Sequence, residues 1–297
     1  MQGHANISKV GVAPKGNYNL YYRFIKYLKK TVFYLVLIFY SILCLYPIYF
    51  SLISSVKKNV EIFNNPFMFP TQFHFENYKR AWEVGKVGIY FKNSVALTLS
   101  TLFVAALVGT FAAYILSRYE FKLKSFVYVF FTAGMMIPIQ TTIIPLSYMF
   151  GKFKLIDNYP VLILLFTAFN LSMTVFILTG FMKGIPKELE EAAVIDGCSA
   201  FRIYSSIMLP LSMPAIATVS IFNFLHTWNN LLYPLVFISK DSLKTISIGL
   251  LTFFAERTSD YGGVMAAVVI TMLPPIIAYI LLQEKVEKGL TAGAVKG

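Results

Sequence analysis

Long apolar runs free of Asp, Glu, Lys and Arg alternate with short polar stretches along most of the chain. Such runs occupy Thr31–Val56, Asn93–Ser117, Ser125–Gly151, Asn158–Met182, Ile203–Ser239 and Tyr261–Gln283. Each is long enough to cross a hydrocarbon layer roughly 30 Å thick. They predict an all-α polytopic membrane fold with six transmembrane helices. The fifth run exceeds one crossing, so its first part, to about Leu211, is assigned to an amphipathic helix outside the membrane. Its last part, near Tyr233 and Pro234, is read as an outer turn.

Between the fourth and fifth runs lies a polar, amphipathic stretch from Pro186 to Pro214. Pro186 suits the first turn of a helix, and Glu188, Glu190 and Glu191 favour the positive end of its dipole. Leu189, Ala192 and Ala193 fall at i, i+3 and i+4, a spacing that predicts one narrow face open to close approach. Gly197 ends the helix, as glycine does where the backbone turns left-handed. Ser199 can cap a second helix, with an apolar stripe of Ala200, Ile203, Tyr204, Ile207, Met208 and Leu211, until Pro210 and Pro214 interrupt the bonding. A helix, a glycine turn and a second helix are expected.

With 57% hydrophobic and 13% charged residues, against about 25% charged in soluble domains, the composition agrees with the pattern. The net charge of +12 suits loop cations facing anionic headgroups rather than nucleic acid. Residues 1–30 contain Lys9, Lys15, Arg23, Lys26, Lys29 and Lys30 and no acidic residue, so this segment is placed in the cytoplasm. The run after it is read as a retained span rather than a cleaved leader, because it is long and lacks a small-residue cleavage site. An even number of spans then puts both termini inside: 1–30 as a cytoplasmic segment, 31–283 as the six-helix membrane bundle including loop 184–211, and 284–297 as a cytoplasmic tail. Of the 26 Lys and Arg residues, fifteen fall on inner segments and eleven on outer ones, in line with the positive-inside bias. Cys44 and Cys198 lie in unlike settings and are read as free thiols.

Glu191-Ala192-Ala193, three residues, Gly197, and then Ile207 and Leu209-Pro210 match the loop motif of a known family. At these residues the chain resembles the inner-membrane permease subunits of ABC importers of the type I fold. FMFPTQFHFENY, FKNS at Phe91, the Trp228-Asn229 pair and the ending from Gly289, GLTAGAVKG, resemble its carbohydrate-uptake branch, the maltose type. The resemblance implies that Glu191, Ala192, Ala193, Asp196, Gly197, Ile207, Leu209 and Pro210 form coupling helices that dock on a separate ATP-hydrolysing subunit. It also implies two such ATPases carrying ATP and Mg, a second permease in a heterodimer, and an extracytoplasmic solute-binding protein. A tail able to reach the ATPase side and a location in the cell (cytoplasmic) membrane follow from it as well. This chain itself is expected to bind no cofactor or metal.

Two stretches are candidates for a substrate path. In GMMIPIQTTIIPL, Pro138 interrupts a span next to Gln140, and an interrupted helix exposes backbone and amides to cargo. In NFLHTWNNLLYPL, Asn223, His226, Trp228, Asn229 and Asn230 supply amides and an aromatic face suited to an uncharged polyhydroxylated cargo. Asn223, His226 and Asn230 share one helix side. Hydrogen bonding between spans would explain the same amides. The aromatic polar segment from Lys57 to Lys92 reads as a cap over the bundle, either an interfacial belt or a contact for a binding protein.

No phosphate-binding Gly-x-x-x-x-Gly-Lys-Ser/Thr occurs, since Gly85-Lys86 is followed by Val87 and Gly151-Lys152 by Phe153. Energy is therefore expected from a partner, and the chain is not expected to be an enzyme. An ion-driven secondary transporter would need a buried carboxylate or histidine relay, for which His226 alone is available. An uncoupled channel would leave the loop motif without a role, and within the ABC reading a non-sugar solute is the alternative cargo.

Overall fold

The charge-free runs form helices of unequal length, and not all of them are continuous. The computed structural model describes residues 17–256 and 260–294, with side chains over 22–255 and 260–284; residues 1–16, the side chains of the tail from 285 and the final residues 295–297 lie outside what is described. Among the described residues every regular element is helical. The chain divides between residues 51 and 52 into two compact units.

The first unit is essentially one helix, α1 (Asn17–Ser54), whose last residues enter the second unit. It starts well before Thr31, because Lys26, Lys29 and Lys30 are good helix formers and nothing breaks the turn between the basic and apolar parts.

The second unit begins with a cap containing α2 (Asn59–Asn64) and α3 (Glu76–Glu83). Lys57, counted as a headgroup-facing cation by its sequence, is wholly buried. Its ammonium donates to the carbonyls of Asn65, at 2.9 Å, and Met68. Asn77 Nδ2 in turn donates to the carbonyls of Ser55 and Lys57, and Arg80 pairs with Asp260 at 3.0 Å. The expected cap is thus held by buried polar bonds, while Phe67, Phe69, Phe73 and Phe75 remain exposed.

The long helix α4 (Val87–Arg118) packs chiefly against α7 (Tyr159–Lys183). Gly109 permits their close approach, since a Cβ there would lie 2.4 Å from Thr174 Cγ2. Between them the third run does not form one helix. It is split into α5 (Lys124–Ala133), a 3-10 turn at Ile139–Thr142 and α6 (Ile143–Lys152). Pro138, extended at the break, cannot donate to a helical carbonyl, so the sequence-level kink becomes a full interruption.

After α7 come α8 (Glu188–Ile195), α9 (Ala200–Ile203), a π-helical turn at Tyr204–Met208 and α10 (Leu209–Leu211). A bend of 72° then leads into α11 (Met213–Trp228). The division of the fifth run near Leu211 is where the sequence put it. The proline of α10 explains the widened turn: Pro210 has no N–H, and Leu209 N bonds back to Tyr204 O. The short α12 (Leu232–Phe237) includes Tyr233 and Pro234. Then follow α13 (Ile246–Glu256) and α14 (Tyr261–Ala294), which continues past Gln283 into the segment expected as a tail.

Among the described residues, four helices are long and apolar enough to span a membrane, five if the bent pair counts as one span. The third of the six expected spans is not among them, because that run is divided between α5 and α6, each too short to count on its own.

Candidate functional site: a polar cavity and a helix-turn-helix at the Arg118 end

The two ends of α4 mark the two ends of the second unit's bundle. At the Val87 end, Lys86 and Tyr90 bond the carboxylate of Asp241, and Asn93 Nδ2 donates to the carbonyls of Ser242 and Lys244. Bonds from Lys86, Lys244 and Tyr90 hold the Asp241 carboxyl below its ordinary range.

At the Arg118 end stands the predicted helix-turn-helix. α8 starts at Glu188, two residues after Pro186, with its three glutamates in the first turn. Gly197 has φ +79°, the left-handed conformation that the motif required. Ser199 Oγ accepts from Arg202 N, the expected cap. The predicted alanine face is divided instead: Ala193 is buried among Ile185, Ile203, Tyr204 and Met208, whereas Leu189 and Ala192 are exposed. The i, i+4 relation of Leu189 and Ala193 straddles the edge of the buried stripe, because α8 lies shallowly on the bundle. Ala200 and Leu211, predicted to share an apolar stripe, are likewise exposed. Glu191, Asp196 and Gly197 are exposed, as are Val194 and Ile195, the latter by 86%. Leu209 and Ile207 are half-buried, and Pro210 is exposed.

Sequence reasoning did not single out Arg118, and it read Glu190 only as one of the first-turn carboxylates of α8. The Arg118 side chain is 5% exposed and pairs through Nε with Glu190, itself 15% exposed. Its Nη2 donates to Ile185 O at 2.8 Å and reaches Met208 Sδ at 3.8 Å. Burial pushes the Glu190 carboxyl upward, opposed by Arg118 and then Lys187. By sequence, an arginine closing a span resembles any snorkelling cation.

A cavity of about 490 Å³, open to the surface past the exposed Met135 and Ile137, is bounded by the broken third run, α7 and α11. Thr142, Asn170, Ser172, Asn223 and His226 supply its polar lining, and Phe169, Met173 and Phe222 some of its apolar lining. No charged side chain lines it. His226 Nδ1 lies 2.8 Å from Asn170 Oδ1, which can only accept, so Nδ1 carries the proton. Asn170 Nδ2 donates to Thr227 Oγ1 at 3.1 Å, and Asn223 Nδ2 to Thr174 Oγ1 at 2.9 Å. The amides therefore bond between helices and border the cavity together. The break is closed on its other side by Tyr233, whose hydroxyl donates to Ile139 O and lies 2.7 Å from Thr142 Oγ1.

Of the predicted path residues, Asn223 and His226 reach this cavity. Gln140 is exposed, and its neighbours Ile139 and Thr142 form the lining instead. Trp228 is buried against Phe91 and Phe224 and donates to Thr271 O at 3.2 Å. Asn229 is exposed at the end of α11, and Asn230 Oδ1 accepts from Tyr233 N. The trio Asn223, His226 and Asn230 is separated because α11 ends at Trp228 before the third member. Asn170 was missed, although a lone amide in an apolar run is itself a signal.

A multi-pass helical chain, with a broken run bounding an open cavity of mixed polar and apolar lining and an exposed glycine-turned helix pair at one end, is the architecture expected of a permease. Residues 105–292 match the family described as the binding-protein-dependent transport system inner membrane component, and the chain belongs to it. It is an ABC importer permease and not an enzyme; in this family ATP hydrolysis is the work of a separate subunit. A putative ABC transporter permease protein, ORF2, from Caldicellulosiruptor sp. (strain Rt8B.4) is 41% identical over 92% of this chain and 99% of its own length. The diacetylchitobiose uptake system permease protein NgcG of Streptomyces coelicolor is 34% identical over 88% of this chain and 87% of its own. In fold the chain is similar to a bacterial ABC transporter involved in import of the acidic polysaccharide alginate, with a TM-score of 0.76 at 20% identity, covering 86% of this chain and 96% of that one.

Proposed function

We propose that this chain is a permease subunit of a binding-protein-dependent importer of neutral di- or oligosaccharides in the cell membrane. The observation that carries the cargo class is the cavity lining: amides, hydroxyls, one imidazole and apolar side chains, with no charge to match an ionic solute. Its volume of about 490 Å³ falls within the range of small-ligand sites. Several relatives are named for sugar uptake, among them the diacetylchitobiose permease and a melibiose/raffinose/stachyose import permease of Bacillus subtilis. The fold relative imports an acidic polysaccharide, and the uncharged lining here argues for a different saccharide chemistry.

On this reading the chain crosses the membrane six times, with α5 and α6 together making one discontinuous crossing and both termini in the cytoplasm. The span domain covers 31–283, flanked by cytoplasmic segments 1–30 and 284–297. The Arg118 end then faces the cytoplasm. There Glu191, Ala192, Ala193, Asp196, Gly197, Ile207, Leu209 and Pro210 form the coupling element, of which the exposed members offer the docking surface. One of two ATPase subunits, carrying ATP and Mg, docks on it. A second permease completes the path, and an extracytoplasmic binding protein delivers the sugar to Asn223 and His226. ATP favours the closed ATPase dimer, and the docked element biases the bundle between its two accesses.

The test is uptake of labelled tri- and tetrasaccharides, neutral and acidic, into proteoliposomes holding the whole importer. ATP-dependent uptake of a neutral sugar is expected. Uptake driven by a proton gradient without ATP would sink the coupling reading, and transport restricted to ionic solutes would sink the cargo reading.

A further inference from the structure

Arg118 belongs to α4 but touches three separate parts of the loop region. Its guanidinium meets the carbonyl of Ile185 just before α8, the carboxylate of Glu190 in the first turn of α8, and the sulfur of Met208 in the π-helical turn. One nearly buried cation therefore connects the end of a membrane-spanning helix with both limbs of the helix-turn-helix. From α4 the contact chain continues inward. Gly109 admits α7 at Thr174, and Thr174 accepts from Asn223 at the cavity.

We propose that Arg118 is the positioning residue that transmits displacement of the α8 element to α4. This inference rests on the coupling reading given above. The physical argument is that a guanidinium in a dry setting must stay paired, since separating it from Glu190 leaves two uncompensated buried charges. The contact therefore does not slip when the docked loop moves; α4 moves with it. The guanidinium donates to the Ile185 carbonyl through Nη2 while its Nε side stays paired in charge with Glu190, an arrangement that a lysine ammonium on a flexible stem does not reproduce in the same geometry. The other aromatic contacts here, Tyr204 with Phe111 and Tyr114, are non-directional packing and allow sliding. A further polar tie between α4 and this region is the Thr110–Tyr204 hydroxyl pair at 2.7 Å, which carries no charge.

The experiment compares wild type, Arg118→Lys, Glu190→Gln and the double variant Arg118→Met/Glu190→Leu in the complete importer in nanodiscs and proteoliposomes. Two quantities are read: recovery of the ATPase subunit with the permease, and sugar molecules imported per ATP hydrolysed. The double variant replaces a buried pair by apolar groups of similar size, a change that proteins commonly tolerate. Expected are wild-type ATPase recovery and an import-to-hydrolysis ratio about tenfold lower, within the usual span of coupling between sites. Arg118→Lys should fall between the two, although it keeps the charge. A wild-type ratio in the double variant would overturn the proposal, since the pair would then only fill space. Loss of ATPase recovery in the double variant would also overturn it, making Arg118 a docking determinant instead. If the wild-type chain itself recovers no ATPase, the coupling reading fails independently of Arg118.

Discussion

The imidazole of His226 and the side-chain amide of Asn170 meet at 2.8 Å across the α7–α11 interface, and both border the same cavity. Because the amide oxygen only accepts, this bond fixes the histidine tautomer and leaves Nε2 as an acceptor. Asn170→Leu removes that acceptor together with the donor to Thr227. A lost buried hydrogen bond costs about 1–3 kcal/mol, so sugar uptake should fall about tenfold or more while ATPase recovery stays intact. Uptake unchanged in both Asn170→Leu and His226→Phe would show that the cargo does not use this cavity.

Gly197 has a positive φ, and a Cβ added there would meet nothing within 4 Å. Any effect of Gly197→Ala must then arise from the backbone, at about 1–2 kcal/mol for a left-handed residue. Gly197→Asn should be milder, because asparagine visits that region more readily. Gly197→Pro should leave a folded protein in which hydrolysis no longer responds to sugar. The ranking Asn, Ala, Pro in stimulated ATP hydrolysis checks the turn directly.

Two glycines in the α4–α7 pair should respond in opposite ways. A Cβ on Gly109 would collide with Thr174 Cγ2, whereas one on the exposed Gly180 meets nothing. Gly109→Val should lower the melting temperature in detergent markedly. Gly180→Ala should hold or raise it, since alanine gains about 1 kcal/mol in helix propensity. Equal responses would contradict the close approach at Gly109.

Lys57 holds the cap through carbonyls rather than through acidic partners. Lys57→Met fills similar space but leaves those carbonyls without their charged donor, at about 1.5–3 kcal/mol. Limited proteolysis should then cut the 58–75 segment faster, with little change at the Gly197 turn. Equal cleavage rates would mean that the cap is held by its packing alone.

Acid should loosen the loop at the Val87 end. The Asp241 carboxyl is held below its ordinary value of 3.8 by its bonds to Lys86, Lys244 and Tyr90. A carboxyl depressed in the folded state contributes its full stability above that ordinary value, and the contribution falls away as pH drops from there through the lower folded value. With the side chain about half exposed, the net effect stays below about 1 kcal/mol. Hydrogen-exchange protection of residues 240–246, compared between wild type and Asp241→Asn, should differ at about pH 5, and the difference should narrow progressively as pH falls below about 4 towards the depressed folded value. A difference that does not narrow with falling pH would assign the protection to another group.

How much of this was legible in the sequence depended on whether the signal was local. Apolar run length, the charges of the first turn of α8, the glycine at 197 and the Ser199 cap all act within a few residues. The last three stand in the structure where the sequence placed them, and the apolar runs do so apart from the third, which is broken. The break after Gly134 was legible as a proline interruption, although its extent was not, because that depends on what satisfies the freed backbone. Here it is Tyr233, more than ninety residues away, that donates to the Ile139 carbonyl.

The sequence by itself determined a helical, multi-pass chain with a glycine-turned loop between two runs, because hydrophobic length, periodicity and turn chemistry are properties of neighbouring residues; that the chain is a permease came from the resemblance of its loop motif to a known family. Only the tertiary structure decided which polar side chains share a space. It brought Asn170 to His226 and Arg118 to Glu190, and it turned Trp228 and Gln140 away from the cavity. It also buried Lys57, one of the cations counted on the outer segments. The reason is energetic: in a bundle with few polar groups, each buried donor must find an acceptor on another helix, and which one it finds is set by helix packing.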